Sequence, residues 1–399
     1  MDLKRYDLIV MGGGISGLSL AHYASRAGMK TLVIEKGTEA GGCLRTMRQP
    51  GGFWLELGAH TCYNSYGNLI RIIENCGAKE RLLPRRKVPF KMFVGDSVKS
   101  ISSQLDFFEL ACSAPRIFTL SKSGETVGSY YSKIVGKRNF DRVIGPALSA
   151  VPSQRADDFP AEMLFKKRKR RKDIVKSFTL EGGLQSISDA ITSDKGIEVI
   201  TGTEVSAVSR EDALYKVSTA DRGQFTAGNI GSAVPPSVAS RLLKDILPDA
   251  AARLAEIKVA RVESLGVTVR KESVGLPPFA GLIPVDDVFF SVVSRDTVAD
   301  AAFRGFTFHF RQGLNRAEKM RRITEVLGTD KFEAFSENIA VLPSPLSGHD
   351  KIVDDIDSFI EGRRVYITGN YFSGLAIEDC VSRSWAEFGR LEANFRKET

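Results

Sequence analysis

The feature that most constrains this chain lies within its first 35 residues. Tyr6-Asp7-Leu8-Ile9-Val10-Met11 is a short, largely apolar run, suited to a strand buried on both faces of a parallel sheet. Gly12-Gly13-Gly14-Ile15-Ser16-Gly17 comes directly after it and fits G-x-G-x-x-G. Leu18 to Gly28 has helical spacing, with Gly28 placed to stop it, and Thr31-Leu32-Val33-Ile34 leads into Glu35. Gly12 permits the tight turn, Gly14 lets backbone approach a pyrophosphate, and Gly17 lets the helix pack closely on the strand. The N–H groups of the helix start, at Ile15 and Ser16, face phosphate with a partial positive charge. Glu35 stands where a carboxylate can accept hydrogen bonds from ribose hydroxyls. That implies a free 2′-hydroxyl, hence FAD or NAD rather than NADP; these residues alone leave both open.

At 399 residues the chain has room for two to three domain-equivalents. Apolar residues at 43 % and charged residues at 26 % exclude a disordered or fibrous chain. No apolar stretch reaches the roughly 18 residues a spanning helix needs. The N-terminus lacks the apolar centre of a secretory signal. Cys43, Cys62, Cys76, Cys112 and Cys380 are scattered and include no CxxC, which reads as reduced thiols in a cytoplasmic protein. With four histidines and no HExxH, no metal site is expected.

The net charge of +8 is concentrated in one place. Lys166-Lys167-Arg168-Lys169-Arg170-Arg171-Lys172 carries seven positive charges, and without them the chain is near neutral at +1. A nucleic-acid surface would spread its basic residues over a face with aromatic residues between them, so no nucleic-acid partner is expected. The run reads as an exposed helix end or loop, or as a patch that makes the protein membrane-peripheral or docks an acidic partner.

The residues after Glu35 separate the two dinucleotides. Lys36-Gly37-Thr38-Glu39-Ala40-Gly41-Gly42-Cys43-Leu44-Arg45-Thr46 resembles the "GG" segment of the flavin-containing amine oxidase superfamily, most like its protoporphyrinogen oxidase branch. Gly52 to Thr61, with Gly58-Ala59-His60, is similar to the family's "GF..E.GPH.." stretch, which reaches the flavin ring. Ser177 to Gln185 resembles its "SF..GGLQ" helix start. Gly196 to Val205 looks like the strand whose valine grips adenine, and Val234-Pro235-Pro236 matches its "AVPP" turn. Arg364 to Cys380 is similar to the closing "GN...G..I.DC" motif. Beyond it, Ser382-Arg383-Ser384-Trp385 stands where the family carries small residues and glycine. The resemblance implies non-covalent FAD held by Gly12, Gly14, Ile15, Ser16, Gly17, Glu35, Lys36, Gly42, Arg45, Gly58, Ala59, His60, Val205, Gly369, Asn370 and Ile377. Arg45 would offset pyrophosphate charge.

The implied fold is α/β, a doubly wound parallel sheet of the FAD-linked Rossmann-like kind. Its domain is discontinuous, at 1–80, 175–245 and 345–399. An α+β substrate or cap domain would occupy 81–174 and 246–344. Within these, 105–120 and 250–257 have helical patterns, while 203–219, 263–270 and 303–310 alternate as strands.

Flavin supplies the hard chemical step, so no Ser/His/Asp constellation is required. His60, Arg295 and His309 are the candidates near the reacting centre, and the two in the second insert could meet an anionic substrate group. His22 receives no role, and His349 is expected to end a loop. The lysine that amine oxidases place near the flavin is missing from Val274 to Gly281, and Ala376 stands where they place a tyrosine. The expectation is therefore an FAD-dependent oxidoreductase that removes hydride from a hydrophobic small molecule, with or without a carboxylate. An amine oxidase, a carotenoid-type desaturase and a non-redox enzyme like UDP-galactopyranose mutase are the alternatives.

Overall fold

The computed structural model describes residues 4–396. Its first sheet is built around Arg5–Met11, which pairs in parallel with Thr31–Ile34 on one side and Gln224–Ser232 on the other. Ile197–Ile200 extends the parallel set beyond Thr31–Ile34, and Val365–Ile367 extends it beyond Gln224–Ser232. Leu8, Ile9, Val10 and Met11 have no exposed surface, as a strand covered on both faces requires. Each such side chain contributes roughly 1.5–3 kcal/mol by leaving water. Val205–Glu211 and Leu214–Thr219 form an antiparallel hairpin on Gln224–Ser232, as the alternation at 203–219 predicts.

The register matters for function. Met11 is level with Ile34 and Ser232, Ile34 with Ile200, and Ser232 with Ile367. Five parallel strands thus end together, and the residues after each of them gather on one edge. Ligands of open α/β sheets bind at that edge. The opening helix, Ile15–Arg26, is buried from Ile15 to Ala24 because the closing helix, Ile377–Phe395, packs across it. Ser384 Oγ donates to Ser16 O at 2.8 Å where they cross. The segment Ser382-Arg383-Ser384-Trp385 therefore keeps a small residue at the crossing, although it departs from the family pattern.

A second seven-stranded sheet runs Phe332–Pro343, Val259–Arg270, Phe303–Phe310, Phe289–Ser294, Gly281–Pro284, Phe90–Val94, Ser97–Ser100. Its core is rich in phenylalanine: Phe279, Phe289, Phe306, Phe308 and Phe310 are fully buried. The hairpin of Thr46–Arg48 and Trp54–Glu56 lies against it. A Cβ at Gly266 or Gly305 would meet Leu57 or Leu55 at 2.5 and 2.9 Å, so these glycines allow the close approach. Thr307 Oγ1 donates to Glu56 O at 2.6 Å and ties the hairpin to the sheet. The short helices between Phe107 and Ala150 form a separate small core around Val127, Phe140 and Leu148.

One boundary shifts. Leu247, Ala250, Leu254 and Ile257 belong to the core of the first sheet, beside Ile356 and Ile360 of the helix His349–Ile360. A division at 245/246 therefore falls one helix too early. The 105–120 pattern resolves into a helix at Phe107–Ser113, capped by Asp106, and a 3-10 turn at Ala114–Phe118.

Candidate functional site

The glycine turn has the conformation its spacing demands. Gly12 has φ +99°, and a Cβ there would lie 2.8 Å from Ala233 O. A Cβ at Gly17 would lie 2.0 Å from Gly12 O. Gly14 begins the opening helix with no side chain capping it, so the first N–H groups of that helix keep their capacity for an anion. Glu35 accepts from Gly13 N–H at 2.6 Å and from Gly37 N–H at 2.7 Å. It is thereby fixed beside the turn, with lone pairs left for a ribose. Thr203 N–H donates to Glu35 O at 3.0 Å, which places Val205 two residues from that contact.

Gly41 and Gly42, with φ of +131° and +57°, bring the next segment back against the turn. Gly14 and Gly41 form a parallel bridge. Cys43 O then accepts from Ala59 N–H and Arg45 O from Leu57 N–H, both at 2.8 Å. A Cβ at Gly58 would fall 2.2 Å from Cys43 O. Two motifs distant in sequence thus run side by side. These residues fit a dinucleotide: glycines where a Cβ would block the backbone, an uncapped helix start, and an acid held at the turn.

Two of the expected cofactor residues are engaged elsewhere. Lys36 pairs with Glu204 at 3.0 Å and Arg45 with Glu39 at 2.6 Å, both at the surface. Each keeps N–H groups that its ion pair does not use, though part of its charge is already answered. At the far end, Ile377 opens the closing helix, and a Cβ at Gly369 would meet the Tyr371 ring at 2.4 Å. Asn370 lies between Gly369 and Tyr371, in the loop leading to that helix. Glu378 caps another helix, accepting from Asn68 and Leu69 N–H at 2.9 and 3.1 Å.

The basic run is neither a helix end nor wholly solvated. It is an extended segment in which Lys166 donates to Ser373 O, Arg168 pairs with Asp379 at 2.6 Å, and Arg171 grips Glu74 at 2.7 Å. It therefore straps the loop and first turn that lead into the closing helix.

The three candidates near the reacting centre come together. His60 Nε2 lies 2.9 Å from His309 Nε2, and His309 Nδ1 lies 2.8 Å from Ser264 Oγ. Burial lowers both imidazole pKa values, that of His309 to about 4. Both rings are therefore neutral at pH 7, and one N–H joins them. His60 and Arg295 line one small, partly open cavity of about 20 Å³ with Trp54, Glu56, Arg85 and Thr179. A space of that size holds about one water.

The electrostatics of this cavity are unusual. The Arg295 guanidinium lies 3.9 Å from the Trp54 ring centre and 4.4 Å from that of Phe53. It donates to Val298 O, while its Nε has no partner among the described residues. Desolvation lowers its pKa to about 10. Arg85 donates to His60 O and is lowered by burial as well. Neither arginine forms an ion pair among the described residues. Glu56 is the acid at hand, yet burial raises its pKa to about 7, and its oxygens accept from Thr46 Oγ1 and Leu184 N–H. Thr179 Oγ1 is a second group in this lining without a partner among the described residues.

A larger, open recess of about 650 Å³ lies by Asp287, Arg311, Arg322 and Glu325. Arg322 is already paired with Asp96, Asp287 and Glu325, and Arg311 lies over the Phe290 ring. His22 is buried in the opening helix beside Asn75, and His349 starts a helix with its Nε2 on Tyr371 O. Arg85 and Ser264 were not foreseeable. Ser264 gives one faint signal, a hydroxyl on the inward face of an otherwise apolar alternating strand.

Comparisons with known proteins agree with this geometry. Residues 10–76 match the family model described as NAD(P)-binding Rossmann-like domain, and residues 118–272 match that of flavin containing amine oxidoreductase. The sequence thus resembles the flavin-containing amine oxidoreductases. It is 32 % identical over 79 residues to the 15-cis-phytoene desaturase of Narcissus pseudonarcissus, covering 20 % of this chain and 14 % of that one. It is 27 % identical over 155 residues to the mitochondrial protoporphyrinogen oxidase of Nicotiana tabacum, covering 34 % of this chain and 31 % of that one. The matched stretch spans 14–18 % of the length of the phytoene desaturases from Narcissus pseudonarcissus and Solanum lycopersicum.

Solved structures match over nearly the whole chain. A candidate protoporphyrinogen oxidase from Exiguobacterium sp. 255-15 superposes with a TM-score of 0.80 at 18 % identity, over 99 % of this chain and 100 % of that one. Reduced UDP-galactopyranose mutase gives 0.75 at 14 % identity, over 97 % and 96 %. At such identities the likeness establishes the fold alone, and that fold is the expected α/β one.

Proposed function

We propose that this chain is an FAD-dependent oxidoreductase that removes hydride from a hydrophobic substrate bearing a carboxylate. One observation carries the reading. The segment from Gly42 to His60 runs from the glycine cradle to a cavity where His60 meets His309 beside two half-buried arginines that form no ion pair among the described residues, with Glu56 as the acid in the same lining. A cation drawn partly out of water and held only by backbone carbonyls gains from an anionic partner, and a ligand carboxylate would supply one. The same positive lining repels an ammonium ion, which counts against the amine oxidase alternative.

When bound, FAD would supply the two-electron acceptor for the hydride. The chain's own part is binding and proton handling. Arg295 and Arg85 would hold the carboxylate, with the Trp54 face fixing the guanidinium plane. His60, neutral and free at Nδ1, can take the proton that leaves the substrate with the hydride. Its Nε2–H then donates to His309 Nε2, and His309 Nδ1–H to Ser264 Oγ.

The test is to load the purified protein with FAD and mix it anaerobically with carboxylated porphyrinogens, polyene acids, amines and UDP-sugars. Loss of the flavin's visible absorbance with a carboxylated compound and none with amines is the expected result. Reduction by amines alone would overturn the reading. Two arginines also suit a diphosphate, which keeps the mutase-like reading as the alternative. Turnover of a UDP-sugar only by pre-reduced protein would establish it.

A further inference from the structure

The fold leaves an unusual set of side chains in water. Phe107, Phe108, Ile117 and Phe118 are 61, 82, 52 and 89 % exposed, all on the short helix Phe107–Ser113 and the 3-10 turn after it. Transfer of such side chains from water is among the most favourable a chain can make. A cluster left outside therefore marks a surface that meets something apolar.

Its neighbours are basic. Lys122, four residues past Phe118, donates to Leu164 O at 3.0 Å. The next residue, Phe165, is 60 % exposed, and the strap begins at Lys166. Lys166, Arg168 and Arg171 point inward onto Ser373, Asp379 and Glu74. Lys167, Lys169, Arg170 and Lys172 are exposed and form no ion pair among the described residues. Most nearby acids are already engaged, Asp106 by Arg138, Glu125 by Lys133, Asp141 by Lys137 and Asp173 by Arg171, which leaves the exposed Asp158 and Glu162 against the four outward cations. Glu109 accepts from the Arg138 and Asn139 N–H groups.

We infer that this face docks on an anionic phospholipid bilayer, with the phenylalanines entering the interface and the outward half of the strap meeting the headgroups. Charge complementarity selects this occupant, because a purely apolar partner would leave four cations unanswered. No helix among the described residues is long and apolar enough to cross a membrane, so the contact is interfacial. Each cation near an anionic surface is worth roughly fivefold in affinity, and apolar insertion adds to that. The strap that faces the lipid also holds the start of the closing helix.

The experiment is flotation of the full chain with phosphatidylcholine vesicles, with and without phosphatidylserine, at low salt and at about 1 M salt, where the Debye length is about 3 Å. Binding to the anionic vesicles should be at least tenfold tighter and salt-sensitive. Phe108→Ser with Phe118→Ser should lower it at least tenfold, and reversing Lys167, Lys169, Arg170 and Lys172 to Glu about a hundredfold or more. Phe108→Trp should shift its emission to the blue on binding, a readout that keeps the native charge. Wild-type protein that floats with neither vesicle overturns the inference, as does equal binding by the serine variant. A wild-type dimer that becomes a monomer on the serine change, without vesicle binding, would assign the face to a second copy instead.

Discussion

The two regions that meet at His60 are built on opposite terms. On the first sheet, the candidate site is built from backbone: glycines of fixed conformation, an uncapped helix start, and a carboxylate held by two N–H groups. On the second, it is carried by side chains from several separated segments, which converge only after folding. Backbone function needs particular residues at fixed spacing, whereas side-chain function needs only a surface to project from.

The sharpest way to break this comparison is at Gly17. Its missing Cβ would sit 2.0 Å from Gly12 O, a backbone atom that cannot turn aside. Gly17→Val should therefore cost about 3 kcal/mol or more and abolish FAD retention. Thermal melting and the visible spectrum of the purified variant check it. Wild-type stability with full flavin content would show that the turn is not governed by its backbone.

Arg295 should answer in the opposite sense. Arg295→Met removes a desolvated cation and keeps an apolar chain against Trp54. Stability should stay level or rise by about 1 kcal/mol, since buried charges are often replaced without loss. Affinity for a carboxylated substrate should fall by about 1.5–3 kcal/mol, the worth of a hydrogen bond to a charged group. A variant that loses stability and substrate affinity together would make Arg295 a structural residue.

That contrast also explains what was legible. The strand, turn, helix and acid at 6–35 could be read from spacing, and the parallel edge came with them. The alternation at 303–310 gave its strand to the residue, because Phe306, Phe308 and Phe310 recur at every second position, although the strand is buried on both faces. The cavity left no such mark. Nothing in Trp54, Arg85 and Arg295 as residues says that they share a space, since the hairpin and the second sheet meet only in the tertiary fold. The basic run misleads for the same reason: inward and outward cations have the same composition.

The cavity's acid and imidazoles supply a finer test. Glu56 is raised from its ordinary value to about 7, so its contribution to stability is complete below about pH 4.5 and is lost as pH rises through 7. His309 is lowered to about 4, so its contribution is complete above about pH 6.5 and is lost as pH falls toward 4. Each shift corresponds to about 3 kcal/mol at most. The two slopes have opposite signs over nearly the same window and largely offset each other, and His60, also lowered by burial, adds to the rising one. Denaturant titrations across pH should expose each once the other is removed. Glu56→Gln should leave a stability that climbs from pH 4 to 6.5, and His309→Gln one that declines from pH 4.5 to 7. A Glu56→Gln variant with the wild-type profile between pH 5 and 7 would mean that the carboxyl is solvated.

The smallest effect bears on the one place where the two terms mix. Arg45 belongs to the glycine-rich segment, yet its side chain is spent on Glu39 at the surface. An exposed pair of this kind is worth less than about 1 kcal/mol, so Glu39→Gln should barely alter melting. If Arg45 serves a pyrophosphate, releasing it should tighten FAD binding a few-fold, and Arg45→Ala should weaken it by a similar factor. Titration of the apoprotein with FAD separates the outcomes. Unchanged affinity in both variants would leave the dinucleotide held by backbone and Glu35 alone, and would make the contrast between the two regions complete.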